Sequence, residues 1–311
     1  MTRLCRVGSV EIGPARPLAI IAGPCVLESL QLGLDIAVVV RDACRAAGLA
    51  CIFKASFDKA NRSSINSARG PGLDQGLEWM ARISGELDLP TTTDIHAPEQ
   101  AEPAARVVDL LQIPAFLCRQ TDLLIAAGHA AAMHGRGVNV KKGQFLSPAE
   151  MAGPVRKLAE AGCTNVMLTE RGTFFGYNRL VNDFIGLGDL IEGEAPVCFD
   201  CTHSTQTPGT GEQTGGRPER APLLARAATA AGVHALFIEC HPEPKKAMSD
   251  ASAATAMTTP TVQAFRVGAW TVTKPSAQGE AMSQRPRIRF TASFHWTVSF
   301  LPILTMTRKQ P

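Results

Sequence analysis

The chain has 311 residues, 45% hydrophobic and 19% charged, with 27 Gly and 21 Pro, which is globular usage and excludes a disordered, collagenous or coiled-coil chain. A net charge of +3 and 5% aromatic residues leave neither an electrostatic nor a stacking case for nucleic acid. No apolar run approaches the roughly 20 residues of a membrane span, the opening MTRLCRVGSVEIG has no export pattern, and nine scattered cysteines, an odd number, point to a reducing, cytoplasmic setting.

Along residues 18–241 two textures alternate. Short apolar, β-branched runs recur at Leu18–Ala22, Ala50–Phe53, Thr91–Thr93, Val107–Leu111, Gly137–Val140, Asn165–Leu168, Pro196–Phe199 and Ala235–Ile238. Their near-continuous apolarity predicts strands buried on both faces of a parallel sheet. Between them lie stretches with helical spacing, among them Leu30–Ala47, Gly72–Leu87, Pro148–Ala161 and Pro218–Ala231. The second puts Leu73, Leu77, Met80 and Ile83 on one face. Ser29 and Ser147 are candidate N-caps, and Gly48 and Gly162 candidate stops. Eight strands alternating with helices predict an α/β fold, a (β/α)8 TIM barrel. A doubly wound open sheet is the alternative, but no glycine-rich fingerprint follows the first strand.

The residues that follow each run are Cys25, Lys54, Asp94, Gln112, Lys141 with Lys142, Glu170 with Arg171, Asp200 with His203, and Glu239 with His241. In a barrel these ends converge on the catalytic face. Cys25, His203, Glu239 and Asp250 then form a candidate metal set. Its mixed S, N and O donors suit Zn2+, Fe2+, Co2+ or Mn2+, although the spacing gives no support and Cys25 reads equally well as one more small buried thiol. Cys201 and Cys240 alternate with Asp200 and Glu239 and are expected to face the helices as packing. Lys54, Lys59, Arg62, Lys141 and Arg171 form a cationic set. Cations at the ends of buried strands need anions, and five of them suit substrates carrying phosphates and a carboxylate. The segment KANRSS, Lys59–Ser64, can close around a sugar phosphate or be a plain capping turn. GTGEQTGG, Gly209–Gly216, lacks the Lys-Ser/Thr of a P-loop and reads as a mobile βα loop.

Nine segments, IAGPCVLES, FKASFDKANRSS, TDIH, QIPAFLCRQTDL, NVKKGQFLSP, TERG, FDCTHSTQ, FIECHPEP and MSD, spread in order over residues 18–250, resemble the 3-deoxy-D-manno-octulosonate 8-phosphate synthases (2-dehydro-3-deoxyphosphooctonate aldolases). The resemblance implies a cytoplasmic homotetrameric barrel that joins phosphoenolpyruvate to D-arabinose 5-phosphate and water, in the KDO branch of lipopolysaccharide biosynthesis. The related heptulosonate synthases typically carry a Lys-Pro-Arg-Thr segment where this chain has KANRSS, which favours arabinose 5-phosphate. Cys25 at the Gly-Pro-Cys position places the chain with the metal-dependent members. By the resemblance Cys25, His203, Glu239 and Asp250 hold a divalent metal ion; Lys59, Lys141, Arg171 and Gln112 grip phosphoenolpyruvate; Asn61, Arg62 and Ser63 take the sugar phosphate. Lys54 joins the substrate-binding set, and Asp94 and Gln206 line the site near sugar and metal. Lys59, Asp94, His203 and Asp250 are the candidate catalytic groups.

After Asp250 the likeness stops. Residues 1–250 hold 24 Lys/Arg against 27 Asp/Glu, whereas residues 251–311 hold 7 against 1, with ten Thr and no helical period. The expected organisation is therefore a barrel over residues 1–257, with its eighth helix doubtful, and an atypical, poorly packed tail over 258–311. The abrupt change resembles a reading-frame change; a lineage-specific extension is the alternative. Two other functional readings stand beside the synthase: a heptulosonate synthase-like enzyme using another aldose phosphate, and a catalytically damaged barrel that only binds ligands.

Overall fold

The computed structural model describes residues 4–60, 69–208, 215–248 and 255–256. The first described elements are a hairpin, β1 (Cys5–Val7) against β2 (Val10–Ile12), with Cys5 opposite Ile12. The alternation then begins with β3 (Ala19–Gly23), α1 (Leu30–Ala47), β4 (Ala50–Lys54), α2 (Leu73–Leu87), β5 (Thr91–Asp94), α3 (Ala101–Val107), β6 (Leu110–Ile113) and α4 (Thr121–His134). It continues through β7 (Gly137–Lys141), α5 (Ala152–Glu160), β8 (Val166–Glu170), α6 (Phe184–Ile191) and β9 (Val197–Asp200). A short antiparallel pair, β10 (Gln206–Thr207) with β11 (Gly215–Gly216), precedes α7 (Ala221–Ala231) and β12 (Ala235–His241).

Each of β3 to β9 pairs in parallel with the next. The sheet closes because β12 pairs in parallel with both β9 and β3, Phe237 opposite Asp200 and Glu239 opposite Gly23. The fold is thus a (β/α)8 barrel, with eight parallel strands in the wall. Side-chain alternation splits the core in two. Leu236, Ile238, Cys201 and Cys240 belong to the larger cluster shared with the helices, whereas Ile21, Ile52, Met167 and Phe237 fill the interior together with Cys5, Val7, Val10 and Ile12. The β1–β2 hairpin therefore stoppers the N-terminal end of the barrel. Asn165, just ahead of β8, clamps it there: its Oδ1 accepts from the Arg6 N–H at 2.7 Å and its Nδ2 donates to the Arg6 carbonyl at 2.8 Å. This hairpin has no counterpart among the eight expected strands.

The caps follow the expected chemistry. Ser29 Oγ accepts from the Leu32 N–H at 3.2 Å, and Gly48 ends α1 in the left-handed region at φ +69°. Ser147 differs. Its N–H and hydroxyl both donate to Glu150 Oε2, at 2.8 and 2.9 Å, and one 3-10 turn precedes α5. Two sequence expectations shift. The run Val107–Leu111 is divided between α3 and β6, because Val108 still closes a helical bond to Ala104. The helix α4 (TDLLIAAGHAAAMH) is apolar or small on most sides and so shows no amphipathic stripe; it packs between α3 and α5. Beyond β12, Thr255–Ala256 (β13) pairs in parallel with Cys240–His241. The expectations for the eighth helix, for the tail at 258–311, for Asn61–Ser64 and for Gly209–Thr214 lie outside the described residues. Among those described, no helix is long and apolar enough to cross a membrane, and all nine cysteines are buried.

Candidate active site

The C-terminal ends of the strands carry two tiers of buried polar side chains. The lower tier runs sideways across neighbouring strands, because the register sets Asp94 beside Gln112 and Gln112 beside Asn139. Thr169 Oγ1 donates to Asn139 Oδ1 at 2.7 Å, and Asn139 Nδ2 donates to Gln112 Oε1 at 3.0 Å. Gln112 Nε2 and Ser56 Oγ then each donate to one oxygen of Asp94. Burial alone would raise the Asp94 carboxyl, but the charges of Lys54, Lys141, His96 and Lys59 outweigh it and hold the group well below the ordinary carboxylate range. Asp94 therefore presents a fixed negative charge.

The upper tier alternates in sign. Lys54, 1% exposed, puts Nζ 2.5 Å from Glu239 Oε1 and donates to the Cys25 carbonyl at 3.0 Å. This needs β3 and β4 to approach closely at their ends: a Cβ on Gly23 would lie 2.0 Å from the Lys54 carbonyl oxygen. Lys141 Nζ lies 2.8 Å from Asp200 Oδ2, and the same oxygen lies 2.7 Å from His203 Nδ1. Asp200 Oδ1 accepts the backbone N–H groups of Thr202 and His203 at 3.1 and 2.9 Å, which pins the turn after β9. His203 Nε2 is left facing Glu239 Oε2 at 3.6 Å, and that oxygen has no hydrogen-bond partner among the described residues. Burial raises the Glu239 carboxyl, but Lys54, His203, Lys59 and Lys141 together hold it well below its usual range. Lys54 shows the converse: burial lowers its ammonium, and the charges of Glu239 and Asp94, with Cys25, more than restore it.

Above these tiers opens a cavity of about 340 Å³ whose lining includes Lys59, Asp94, Lys141, Arg171, His203, Gln206 and Glu239. All seven are residues that the sequence singles out. Arg171 is 6% exposed; Nη2 donates to Gln206 Oε1 at 2.7 Å, and its backbone N–H is held by Glu170 Oε1 at 2.9 Å. Lys59 stands at the neck of its loop, its N–H bonded to the Arg69 carbonyl at 2.7 Å, while the Arg69 guanidinium forks onto both oxygens of Asp58. Lys54, Gln112 and Cys25 do not line the cavity but lie beneath it, where the first two hold Glu239 and Asp94. Asn61, Arg62, Ser63 and Asp250 are outside the described residues. Among the described residues, no group of three or more His, Cys, Asp and Glu stands close enough to hold a metal ion. Of the expected ligands, His203 and Glu239 stand together, Nε2 to Oε2 at 3.6 Å.

Sequence reasoning gave no role to Asp200, Asn139, Thr169 or Ser56, yet these fix the groups that line the cavity. The signal for Asp200 was present, since it ends its strand beside His203. Asn139 and Thr169 sit inside strands, where their polarity within apolar runs was the only hint. Cys240 behaves as packing: burial and the neighbouring Glu239 charge push its thiol up to about 12.

The DAHP synthetase I family matches residues 4–276. The chain is 56% identical over 232 residues, 74% of its length, to the 2-dehydro-3-deoxyphosphooctonate aldolase of Nitratidesulfovibrio vulgaris (strain DP4), of which this covers 84%. It is 50% identical over 251 residues, 80% of its length, to the protein of that name from Citrifermentans bemidjiense, covering 90% of it. A third of the same name, from Granulibacter bethesdensis, is 50% identical over 249 residues, 80% of this chain and 87% of the relative. With nearly the whole barrel matched at half or more identity, the chain belongs to the DAHP synthetase I family, among its 2-dehydro-3-deoxyphosphooctonate aldolases.

Proposed function

We propose that the protein condenses phosphoenolpyruvate with D-arabinose 5-phosphate and water, giving 3-deoxy-D-manno-octulosonate 8-phosphate and inorganic phosphate in KDO biosynthesis. The observation that carries this is the convergence of Lys59, Lys141 and Arg171 on one cavity with Asp94, His203 and Glu239, in a chain half or more identical to relatives of that name. Two anionic substrates repel each other, so a site that joins them must neutralise both and hold them in attack geometry. Arg171, Lys141 and Lys59 take the phosphate and carboxylate of phosphoenolpyruvate, with Gln112 acting through Asp94. Asn61, Arg62 and Ser63 take the sugar phosphate.

C3 of phosphoenolpyruvate attacks the aldehyde carbon, and the aldehyde oxygen gains a proton. Water adds at C2 and loses a proton, and the C2–O bond breaks to release phosphate. Asp94 stays ionised and orients the sugar. His203, held through Nδ1 by Asp200, keeps Nε2 toward Glu239.

A divalent metal ion fits part of this donor set. Glu239 Oε2 is buried without a hydrogen-bond partner among the described residues, and it faces the one His203 nitrogen not bound to Asp200, the arrangement in which a carboxylate orients a ligating histidine. Cys25 and Asp250 complete the proposed ligands. The ion, Zn2+, Fe2+, Mn2+ or Co2+, would polarise the aldehyde oxygen or lower the pKa of the attacking water. Residues 1–257 form the synthase domain and 258–311 an appended tail. The assembly is a cytoplasmic homotetramer; nine scattered cysteines, an odd number, favour a reducing compartment.

Phosphate release is measured with both substrates and added Mn2+ or Zn2+. Turnover requires arabinose 5-phosphate and is far slower with erythrose 4-phosphate. Preference for erythrose 4-phosphate would make the chain a heptulosonate-type synthase, and binding of both substrates without release would make it a damaged barrel.

A further inference from the structure

A second cavity, of about 540 Å³, shares Gln206 with the first as a common wall. Arg179, from the connection after β8, and Arg217 and Arg220, from the approach to α7, line it. Arg217 and Arg220 share Glu219 Oε1, with Nε at 3.2 and 3.9 Å, and Arg179 makes no ion pair among the described residues. Three guanidiniums against one carboxylate leave two positive charges at the mouth.

The wall behind them supplies an independent observation. Ser204 is 3% exposed and lines the cavity, yet its Oγ has no hydrogen-bond partner among the described residues. Asn182 Nδ2 donates to the Ser204 carbonyl at 3.2 Å, which turns the amide so that Oδ1 is likewise without a partner among the described residues. A buried hydroxyl and a buried amide oxygen left unmet are rare unless something supplies their partners.

We infer that this cavity is a second oxyanion site, for hydrogen phosphate or a phosphate monoester. The arginines and the Ser204 hydroxyl donate to the phosphoryl oxygens. Asn182 Oδ1 accepts the remaining P–OH, or a hydroxyl of the ester's organic part. A plain dicarboxylate offers no such hydrogen and leaves the amide oxygen unmet, so the site selects hydroxylated anions over simple acids. Gln206 Oε1 accepts from Arg171 Nη2 at 2.7 Å, which links an anion bound here to the principal cavity. That link rests on the function proposed above; the anion site does not.

The test is calorimetric titration of the full chain with inorganic phosphate and, separately, with arabinose 5-phosphate. The wild type binds inorganic phosphate both in the principal cavity and at this second site. Arg217→Gln/Arg220→Gln, at exposed positions, retains one and weakens the other by about tenfold or more per lost charge-assisted contact. Arg171→Gln does the reverse, keeping the second site and losing the principal one. Ser204→Ala weakens the second site with no change of charge, and Arg179→Gln stands in should the double variant unfold. A loss confined to the ester assigns the site to phosphorylated sugars; a loss of inorganic phosphate assigns it to the released product. Unchanged number and affinity for both ligands in the double variant overturn the inference. Failure of the functional reading shows differently, as a wild type with an arginine-dependent phosphate site but no phosphate release from the two substrates.

Discussion

The Lys141 ammonium, at the end of β7, stands 3.7 Å from the centroid of the Phe237 ring of β12, with β8 and β9 between the two strands in the barrel wall. The same ring lies 5.5 Å from Lys54 Nζ and 6.0 Å, centroid to centroid, from the His203 imidazole. One fully buried phenyl is therefore the floor under two ammonium groups and a histidine, and it joins the apolar interior to the polar tiers above.

Replacing that floor by Phe237→Leu keeps the site apolar but removes the ring's negative face. A desolvated cation–π contact is worth about 2 kcal/mol, which predicts a fall of roughly 30-fold in kcat/KM. The change appears mainly as a higher KM for phosphoenolpyruvate, because Lys141 is misplaced rather than absent. Steady-state kinetics read the split, and an unaltered KM would show that the ring does not position the lysine.

Asp200 is fully buried and serves two partners, Lys141 and His203. Asp200→Asn preserves the shape and strips the charge, leaving the Lys141 ammonium buried without its counter-charge. Breaking one side of a buried pair costs about 3–5 kcal/mol. Urea denaturation checks this; a loss below about 1 kcal/mol would mean that solvent reaches the lysine.

His234, at the entry to β12, gives a pH dependence away from the active site. Its Nδ1 accepts the Val197 N–H at 2.9 Å, and burial lowers its pKa below the usual 6.5. The folded state favours neutral imidazole, so between the folded pKa and 6.5 the unfolded chain binds more protons. This contribution is complete above about pH 6.5 and is lost as pH falls toward the folded value. His234→Asn, whose amide oxygen can accept the same N–H, flattens the stability curve between pH 7.5 and 5. An equally steep curve in the variant would assign the slope elsewhere.

Removal of divalent metal by a strong chelator abolishes phosphate release, and Zn2+, Fe2+, Mn2+ or Co2+ restores it. Glu239→Gln lowers the metal bound per chain, measured by elemental analysis, because a neutral amide is the poorer ligand for a hard or borderline cation. Full turnover by rigorously metal-free protein would refute a catalytic metal.

Periodicity and strand-end chemistry, read from the chain alone, determined the eight parallel strands, the ends of α1, and a cationic set whose Lys59, Lys141 and Arg171 share one cavity. Residue type shows there because a strand buried on both faces must be apolar until it emerges, and whatever is charged at its end faces the mouth. Only the tertiary structure decided that Lys54 spends its charge on Glu239, that Asp200, named at its strand end without a role, governs His203, and that Asn139 and Thr169 complete the tier fixing Asp94. Those pairings join residues up to 185 positions apart and depend on strand register and barrel closure, which no local pattern records. The β1–β2 hairpin was hidden for the same reason: three-residue strands carry too little period to be read, and what holds them is the open end of a barrel that exists only once the wall has closed.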